Sequence, residues 1–347
     1  MTKLYDTLVF VGRMQPFHNG HKAVIDAALE NANEVVIVLG SCFQPRTPKN
    51  PFTFEERKEM ILSCYRSVRD RIQIVGVRDY PYDDNAWVSA VQTAVKEVQA
   101  GTKTGLIGHS KDDSSYYLNI FPDWRGHIEV ENIDGINATD IREVFFGDSL
   151  DPRIDDLMWR KSPFPETVVK FLRKWKASSV DVFDSIVTEA AEIWKYKRAW
   201  ESAPYAPTFV TTDAVLHQSG SILLVKRKGF PYKNCWALPG GYIETDQSIA
   251  DNMIKELREE TCIKVPAKVL RGSVKAIQVF DKPDRDPRGR TITHAFFIDL
   301  GYPNERLPKV QGADDALEAK WVKLSEIKSE MMAFDHYNVI KHFIPTY

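Results

Sequence analysis

The chain has 347 residues, of which 43% are hydrophobic and 27% are charged, and its formal net charge is −2. This length suits two domains, and the small net charge argues against a general nucleic-acid or membrane surface, which would need a basic excess. No window approaches the ~20 apolar residues of a membrane span, and the polar start is unlike a signal peptide. Four scattered cysteines form no zinc pattern, so we expect a cytoplasmic protein; its oligomeric state stays open, a homo-oligomer included.

The first third of the chain alternates apolar strand segments with helical segments. Strands are predicted at 8–12, 34–41, 72–77, 104–110 and 127–133. Helices are predicted at 20–32, 53–68 and 86–98. We expect Asn19 to cap the first helix, and Thr53 with Glu56 to form a capping box on the second. Apolar strands separated by helices predict a Rossmann-like α/β fold with a parallel sheet, in which ligands bind at the carboxyl ends of the strands.

The second half of the chain has a different pattern. Residues 150–203 are predicted to be charged helices with a break at Pro163 and Pro165. The segment VTTDAVLHQSGSILLVKRK (210–228) predicts a hairpin that turns at HQSG, and further strands surround one strong helix, which indicates an α+β domain. We therefore predict a first domain at 1–175, a helical connector at 176–203 and a second domain at 204–347.

The segment GRMQPFHNGH (12–21) follows the first predicted strand and opens the first helix. Free backbone N–H groups and the helix dipole favour an anion at such a place. His18, His21 and Arg13 add donors and positive charge, and Gly20 lets a phosphate approach the backbone closely. A capped helix with two surface histidines is the alternative. The combination of strand, turn, arginine and helix favours a polyphosphate site.

This segment resembles the H-x-G-H motif of nucleotidylyltransferases, in the form found in archaeal-type nicotinamide mononucleotide (NMN) adenylyltransferases. The resemblance covers about residues 5–170 and includes four more segments: GSCFQPRTPKNPFTFEER (40–57), DDNAWV (83–88), GHSKDDSSYYLNIFP (108–122) and INATDIR (136–142). Asn137 and Ala138 depart from the family's second phosphate motif, whereas Thr139 and Arg142 match it. The resemblance implies Mg²⁺-dependent transfer of AMP from ATP to NMN, giving NAD and pyrophosphate.

The resemblance also implies roles for single residues. His18, His21 and Arg142 would hold the triphosphate and stabilise the transition state, because such a transfer needs positioning and charge rather than a protein nucleophile. Trp87 would stack on the nicotinamide ring, and Asp84 would accept a hydrogen bond from the carboxamide. The other expected substrate contacts are Gly12, Arg13, Lys49 and Thr139. Two alternatives stay open: a non-pyridine acceptor such as phosphopantetheine or glycerol phosphate, and an ordinary core role for Trp87.

The segment LPGGYIETDQSIADNMIKELREETCI (238–263) predicts a second site on an amphipathic helix. At 100° per residue, Glu256, Glu259 and Glu260 fall within an arc of about 100°, separate from an apolar arc. Clustered carboxylates repel one another unless cations lie among them, so Mg²⁺ or Mn²⁺ is the natural counter-charge. A solvated acidic face is the alternative, and the Gly-Gly turn before the helix disfavours it.

This segment resembles the Nudix box, G-x5-E-x7-R-E-U-x-E-E-x-G-U, in which U is aliphatic. Gln247, Lys255 and Cys262 depart from it, and we expect Lys255 to pair with Glu259. The matching positions are Gly241, Glu256, Leu257, Glu259, Glu260 and Ile263.

The stretches 279–300 and 314–327 also resemble Nudix domains of the ADP-ribose pyrophosphatase group, and the whole chain resembles a bifunctional bacterial type. The resemblance implies Mg²⁺-dependent hydrolysis of ADP-ribose to AMP and ribose 5-phosphate. Glu256, Glu259 and Glu260 would be the metal ligands, and Gly241 would contact substrate. Arg285 would also contact substrate, as one of three arginines, with Arg288 and Arg290, that either meet phosphates or solvate a hairpin. Because the box has three departures, a weak or non-catalytic ligand-binding domain is the alternative.

Overall fold

The computed structural model describes residues 3–109, 120–124, 126–131, 137–147, 162–301 and 306–345. The chain divides into two compact units, Met1–Ala190 and Ala191–Tyr347, so the division falls inside the predicted connector. The predicted domain limits themselves stay predictions. Parts of the quoted segments 108–122 and 136–142, and part of the helical stretch 150–203, lie outside the described residues.

The first unit is built on a parallel sheet, as predicted. Its strands are Tyr5–Gly12 (β1), Ala32–Leu39 (β2), Ile72–Gly76 (β3), Thr104–Gly108 (β4) and His127–Glu129 (β5). They lie in the order β3-β2-β1-β4-β5, and each neighbouring pair is parallel. The chain order reverses direction between β1 and β4. The carboxyl ends of these two strands therefore flank the crevice in which a sheet of this type binds its ligand.

Helices cover both faces of this sheet. They are Asn19–Asn31 (α1), Phe54–Ser63 (α2), Asp84–Lys96 (α3), Ala138–Phe145 (α4), Glu166–Ser178 (α5) and the first part of Val180–Arg198 (α6), a helix that crosses the division between the two units. Successive side chains of β1 point to opposite faces, so Leu8 and Phe10 belong to one apolar core and Val9 to another. This two-faced burial is why the strands read as continuous apolar runs.

The second helix is shorter than predicted. Thr53 and Glu56 form the expected capping box, but α2 ends at Ser63, and a 3₁₀-helix follows at Arg66–Arg71. Tyr65 leaves the helical path and is buried, with its hydroxyl donating to Asp26 Oδ1 at 2.9 Å. Burying this tyrosine against α1 stabilises the fold through tertiary contacts, and helix propensities, which depend on local sequence, do not reflect that contribution.

The second unit is built on a mixed sheet, in agreement with the predicted α+β class. Its strands are Thr208–Gln218 (β6), Ser221–Arg227 (β7), Trp236–Ala237 (β8), Gly240–Tyr242 (β9), Val274–Phe280 (β10), Arg290–Asp299 (β11) and Ala316–Lys323 (β12). The order is β10-β11-β6-β7-β12, with β8 paired to β7 and β9 paired to β6. β6 and β11 are parallel, and the predicted hairpin joins β6 to β7 in antiparallel register.

Helices pack on both faces of the second sheet. They are Ile249–Thr261 (α7), Ala267–Gly272 (α8) and His336–Phe343 (α9). Met253 and Leu257 of α7 pack in one core, and Val339 and Ile340 of α9 pack in another. The apolar arc predicted for α7 is therefore the face that it buries. None of the helices in the described part of the chain is both long and apolar enough to cross a bilayer.

Candidate active sites

The first candidate site lies where β1 ends and α1 begins. The helix is capped by His18 and not by Asn19 as expected. The Gly20 N–H donates to Nδ1 of His18 at 3.2 Å, and the His18 N–H donates to Nδ1 of His21 at 3.3 Å. The prediction was wrong because an imidazole Nδ1 can serve as the cap acceptor usually supplied by a short polar side chain.

This capping arrangement fixes the tautomer of both histidines. Since each Nδ1 accepts a hydrogen bond, the proton of each neutral ring lies on Nε2. The two ring centroids are 3.8 Å apart, so the Nε2–H donors lie on neighbouring rings at a helix N-terminus. A side chain at position 20 would meet the His18 ring at 3.0 Å. Gly20 therefore makes room for the ring, whether or not a phosphate also approaches there.

Arg142 brings a buried positive charge to the same loop. It is 8% exposed, and its two Nη atoms donate to the Gln15 carbonyl at 2.9 Å and to Thr139 Oγ1 at 3.1 Å. Burial, and then the positive charge of Arg13, lower the pKa of Arg142 to about 10. Two guanidinium groups that repel each other across a loop favour an anion between them. The departure at Asn137 is accommodated, because Asn137 caps α4 through its side-chain oxygen.

Two residues that hold this loop were missed by the sequence analysis. Gln15 exchanges two hydrogen bonds with the backbone of Phe52, at 2.8 and 2.9 Å. Arg57 is buried and donates to the carbonyls of Arg13 at 2.6 Å and Gly40 at 2.7 Å. Arg57 ends the quoted segment 40–57, but nothing in its local sequence distinguishes it from a solvated helix arginine.

The other predicted residues of the first site follow the carboxyl ends of β1, β2 and β3. Gly12 closes β1 and accepts from the Gly40 N–H at 3.1 Å. Lys49 is exposed in the segment after β2, and Asp84 is exposed in the first turn of α3. Trp87 is half-buried, with its ring centroid 5.9 Å from that of Phe121. Their predicted contacts with substrate stay predictions.

The second candidate site is a cavity of about 210 Å³ in the second unit. Its walls come from β6, β7 and β9, from the end of α7 and from the segment 285–291. Three arginines, Arg227, Arg285 and Arg288, and the carboxylate of Glu260 line it together. A cavity with both cationic and acidic walls can bind an anion directly on one side and through a divalent cation on the other.

The structure separates the three predicted glutamates. Glu260 is 8% exposed, and its Oε2 accepts from the Gly240 N–H at 2.9 Å. Glu256 lies against Gly241, where a Cβ would be 2.6 Å from its Oε2. Glu259 is exposed and lies 3.1 Å from Lys255, as predicted for that pair. The strand Gly240–Tyr242 therefore meets Glu256 and Glu260 but not Glu259.

Glu256 and Glu260 suit a divalent cation. Burial raises the pKa of Glu260 to about 8, with the charge of Glu256 adding to the rise against the Gly240 hydrogen bond. Burial likewise raises the pKa of Glu256, and Glu259 contributes. Burial and mutual repulsion make the ionised forms of these two carboxylates unfavourable, and a divalent cation bound between them would offset that cost. Carboxylate oxygens are hard donors, which suit Mg²⁺ or Mn²⁺. Among the residues that the structure describes, no group of three or more His, Cys, Asp or Glu side chains is arranged to hold a metal ion, so the three-glutamate ligand set stays a prediction.

Arg285, predicted to contact substrate, lines this cavity in a protein ion pair. Its Nε and one Nη donate to the two carboxylate oxygens of Asp335 at 2.9 and 2.8 Å. Oδ2 of Asp213 lies 3.9 Å from the same Nη atom. This arrangement indicates a guanidinium that holds the cavity wall, and its contact with substrate stays a prediction.

Comparisons with known proteins cover both units. Residues 9–144 match the family model described as cytidylyltransferase-like, and residues 207–343 match the NUDIX domain model. The nicotinamide/nicotinic acid mononucleotide adenylyltransferase of Acinetobacter baylyi is 39% identical over 180 residues, which are 51% of this chain and 89% of the relative. The ADP-ribose pyrophosphatase of Methanocaldococcus jannaschii is 35% identical over 141 residues, which are 40% of this chain and 75% of the relative.

One relative matches the whole chain. It is a bifunctional NMN adenylyltransferase/ADP ribose pyrophosphatase from Francisella tularensis, 37% identical, in a crystal structure with a TM-score of 0.90 that covers 99% of each chain. The chain belongs to this bifunctional family. A second crystal structure of the relative, complexed with AMP and a manganese ion, has a TM-score of 0.85 and covers 98% of this chain and 99% of the relative.

Two of the three departures from the Nudix box in this family member, Lys255 and Cys262, have clear structural settings. Lys255 lies 2.8 Å from Glu244 and 3.1 Å from Glu259, so it bridges two carboxylates from the position of the usual arginine. Cys262 follows the last turn of α7 with a left-handed φ of 50°. The Nudix pattern has glycine there because glycine adopts this conformation without strain.

We expect Cys262→Gly to stabilise the second unit by about 1 kcal/mol. The substitution removes the backbone strain of a non-glycine residue in the left-handed region, and the greater entropy of glycine in the unfolded chain offsets part of this gain. Denaturant unfolding followed by a probe in this unit measures the change. Cys64→Gly is the matched control, since Cys64 also follows a helix but has a right-handed φ of −86°. Cys64→Gly should reduce the stability of the chain. If Cys262→Gly caused a loss of stability of similar size, the proposed backbone strain at Cys262 would be contradicted.

The raised pKa of Glu260 predicts how the stability of the second unit depends on pH without metal. The ionised carboxylate is disfavoured in the folded state, so the unfolded chain releases this proton first, near its ordinary value of 4.5, and the folded chain only near 8. Stability in EDTA should therefore fall as pH rises from about 5 to 8. Thermal unfolding of the parent and of Glu260→Gln measures this. The variant should show a smaller fall, and an identical pH profile would contradict the prediction.

Proposed function

We propose that the first unit transfers AMP from ATP to NMN and that the second unit hydrolyses ADP-ribose. The observation that carries both activities is the match along the whole chain to a relative described by these two names. The site geometry supports the assignment, because the ring pair and the acidic end of α7 lie in separate units.

In the first unit, an oxygen of the NMN 5′-phosphate attacks the α-phosphorus of ATP. The bond from that phosphorus to the oxygen bridging to the β-phosphate breaks, and pyrophosphate leaves with the electron pair. The Nε2–H donors of His18 and His21, with Arg142 and Arg13, hold the leaving phosphates and offset their growing charge. The amide groups at the start of α1 add to this field.

In the second unit, water adds across the diphosphate bond of ADP-ribose, giving AMP and ribose 5-phosphate. Glu256 and Glu260, with Glu259 as the third predicted ligand, would hold Mg²⁺ or Mn²⁺. When bound, the ion supplies a water of lowered pKa and neutralises phosphate charge. Arg227 and Arg288 supply positive charge on the cavity wall. We propose Mg²⁺ as the working ion.

Separate product assays on the purified chain test the two activities. With NMN, ATP and Mg²⁺ we expect NAD and pyrophosphate in equal amounts. With ADP-ribose and Mg²⁺ we expect AMP and ribose 5-phosphate. A second candidate function for the second unit is a ligand-binding domain without turnover. The departures from the Nudix box that favour it are at Gln247, Lys255 and Cys262. Absence of AMP at high enzyme concentration, with ADP-ribose still bound, would favour that candidate.

Trp87 tests the identity of the acceptor. Trp87→Ala should raise the KM for NMN about 10-fold by removing a stacking surface, while the KM for ATP changes little. Steady-state kinetics with each substrate varied in turn measures both constants. Trp194→Ala is the control, because Trp194 is an exposed tryptophan. An unchanged KM for NMN would favour a non-pyridine acceptor or a core role. Cytoplasmic location and homo-oligomer formation stay predictions.

A further inference from the structure

Aromatic residues at the end of α6 contact the second sheet just before the Nudix match begins at residue 207. Tyr196 lies in the last turn of α6, and Trp200 follows it. Both rings pack edge-on against Phe209 of β6, with centroid distances of 5.9 and 5.2 Å. This short segment therefore packs with the hydrolase unit, although the family model does not include it.

Tyr196 also reaches the wall of the cavity. Its hydroxyl donates to the hydroxyl of Tyr242 at 3.1 Å, and Tyr242 lines the cavity. Both phenol rings also contact Phe209, whose ring centroid is 5.6 Å from that of Tyr242. A partly buried hydroxyl pair of this kind restricts the orientation of both rings.

The two phenol rings help to surround the guanidinium of Arg288. Its central carbon lies 5.6 Å from the ring of Tyr196, 5.3 Å from that of Tyr242 and 5.7 Å from that of Phe334. On its other edge, Nε and Nη2 donate to the two oxygens of Asp286 at 3.1 and 2.7 Å. Within the described part of the chain, Nη1 donates to no protein acceptor. One nitrogen of a well-held cavity guanidinium is therefore available to an anionic ligand.

We propose that Tyr196 is a positioning residue of the hydrolase, holding Tyr242 and Arg288 in place for the phosphate groups of the substrate. The inference rests on the proposed hydrolysis of ADP-ribose. It extends the functional hydrolase unit into the connector, upstream of the Nudix match. Arg288 is the group that touches substrate, and Tyr196 acts through it.

Kinetics of the full chain test this role. Tyr196→Ala should raise the KM for ADP-ribose about 10-fold, and Tyr196→Phe about 2-fold, because the first removes a ring from the guanidinium and the second only a hydroxyl. The kcat should stay within about 2-fold, since both variants leave Arg288 and its hydrogen bonds to Asp286 in place. The same substitutions at Tyr205, which is 87% exposed, are matched controls and should change nothing. Formation of NAD by the same samples should also be unchanged.

A double-mutant comparison shows whether Tyr196 acts through Arg288. In an Arg288→Met background, Tyr196→Ala should raise the KM by less than about 2-fold, because the group that it positions is gone. An unchanged KM in the single variant, a loss in kcat alone, or a full 10-fold rise in the Arg288→Met background would each overturn the proposal. If the parent binds ADP-ribose without hydrolysing it, the same ratios are taken from Kd values by calorimetry, and only the proposed activity fails. If the parent chain neither binds nor hydrolyses ADP-ribose, both the proposed activity and the role of Tyr196 are refuted.

Discussion

Replacing His21 with alanine is expected to lower the kcat for NAD formation about 10²–10³-fold while the KM for NMN changes less than 2-fold. The ring presents an Nε2–H donor beside that of His18, with 3.8 Å between the ring centroids. Because the leaving pyrophosphate gains negative charge only as the bond breaks, the donor acts mainly in the transition state. Steady-state kinetics with both substrates, and pyrophosphate release as a second readout, measure the effect.

His21→Ala also removes the acceptor for the His18 N–H, so a local change at the helix cap must be separated from the loss of the donor. His21→Asn serves this purpose, since its side-chain oxygen can accept that hydrogen bond but has no imidazole. Both variants should lose kcat. His127→Ala, at an exposed histidine of the same unit, is the control. If NMN affinity fell as much as kcat, the role at the triphosphate would be refuted.

Glu260→Gln is expected to lower ADP-ribose hydrolysis about 10³-fold and to weaken Mg²⁺ binding, with NAD formation unchanged. The amide can still accept from the Gly240 N–H, so the fold of the site should survive while its charge is lost. Calorimetric titration with Mg²⁺ or Mn²⁺ gives a readout that does not depend on turnover.

Two matched variants make this result specific. Glu259→Gln should have a smaller effect than Glu260→Gln, because Glu259 is exposed and paired with Lys255. Glu318→Gln, an exposed glutamate on β12, should have none. An unchanged metal affinity in Glu260→Gln would contradict the metal site and would favour a solvated acidic face on α7.

The sequence predicted the features that depend on local pattern. Apolar runs separated by helices gave the parallel sheet, because strands buried on both faces cannot alternate. Thr53 and Glu56 gave the start of α2, because a capping box needs only residues three apart. The helical periodicity of α7 predicted which of its faces is buried. The same periodicity placed its three glutamates on one face.

Features that depend on tertiary contacts were not predictable in this way. Periodicity places Glu259 with Glu260 and predicts its pairing with Lys255, but only the position of β9 shows that the two glutamates have different surroundings. The end of α2 depends on Tyr65 packing against α1, and Arg57 gains its role from two carbonyls brought to it by the ends of β1 and β2. Residue propensity favours Asn19 as the cap of α1, whereas His18 caps the helix and forms the capping box with His21.

We propose that polyphosphate is bound by imidazole donors and backbone amides in one unit, and through a divalent ion on glutamates in the other. A crystal structure of the full chain with a non-hydrolysable ATP analogue, ADP-ribose and Mn²⁺ tests this most directly. We predict the triphosphate within hydrogen-bond distance of Nε2 of His18 and His21, and Mn²⁺ between Glu256, Glu260 and the diphosphate of ADP-ribose. Phosphates bound away from both histidines, or Mn²⁺ bound away from both glutamates, would contradict it.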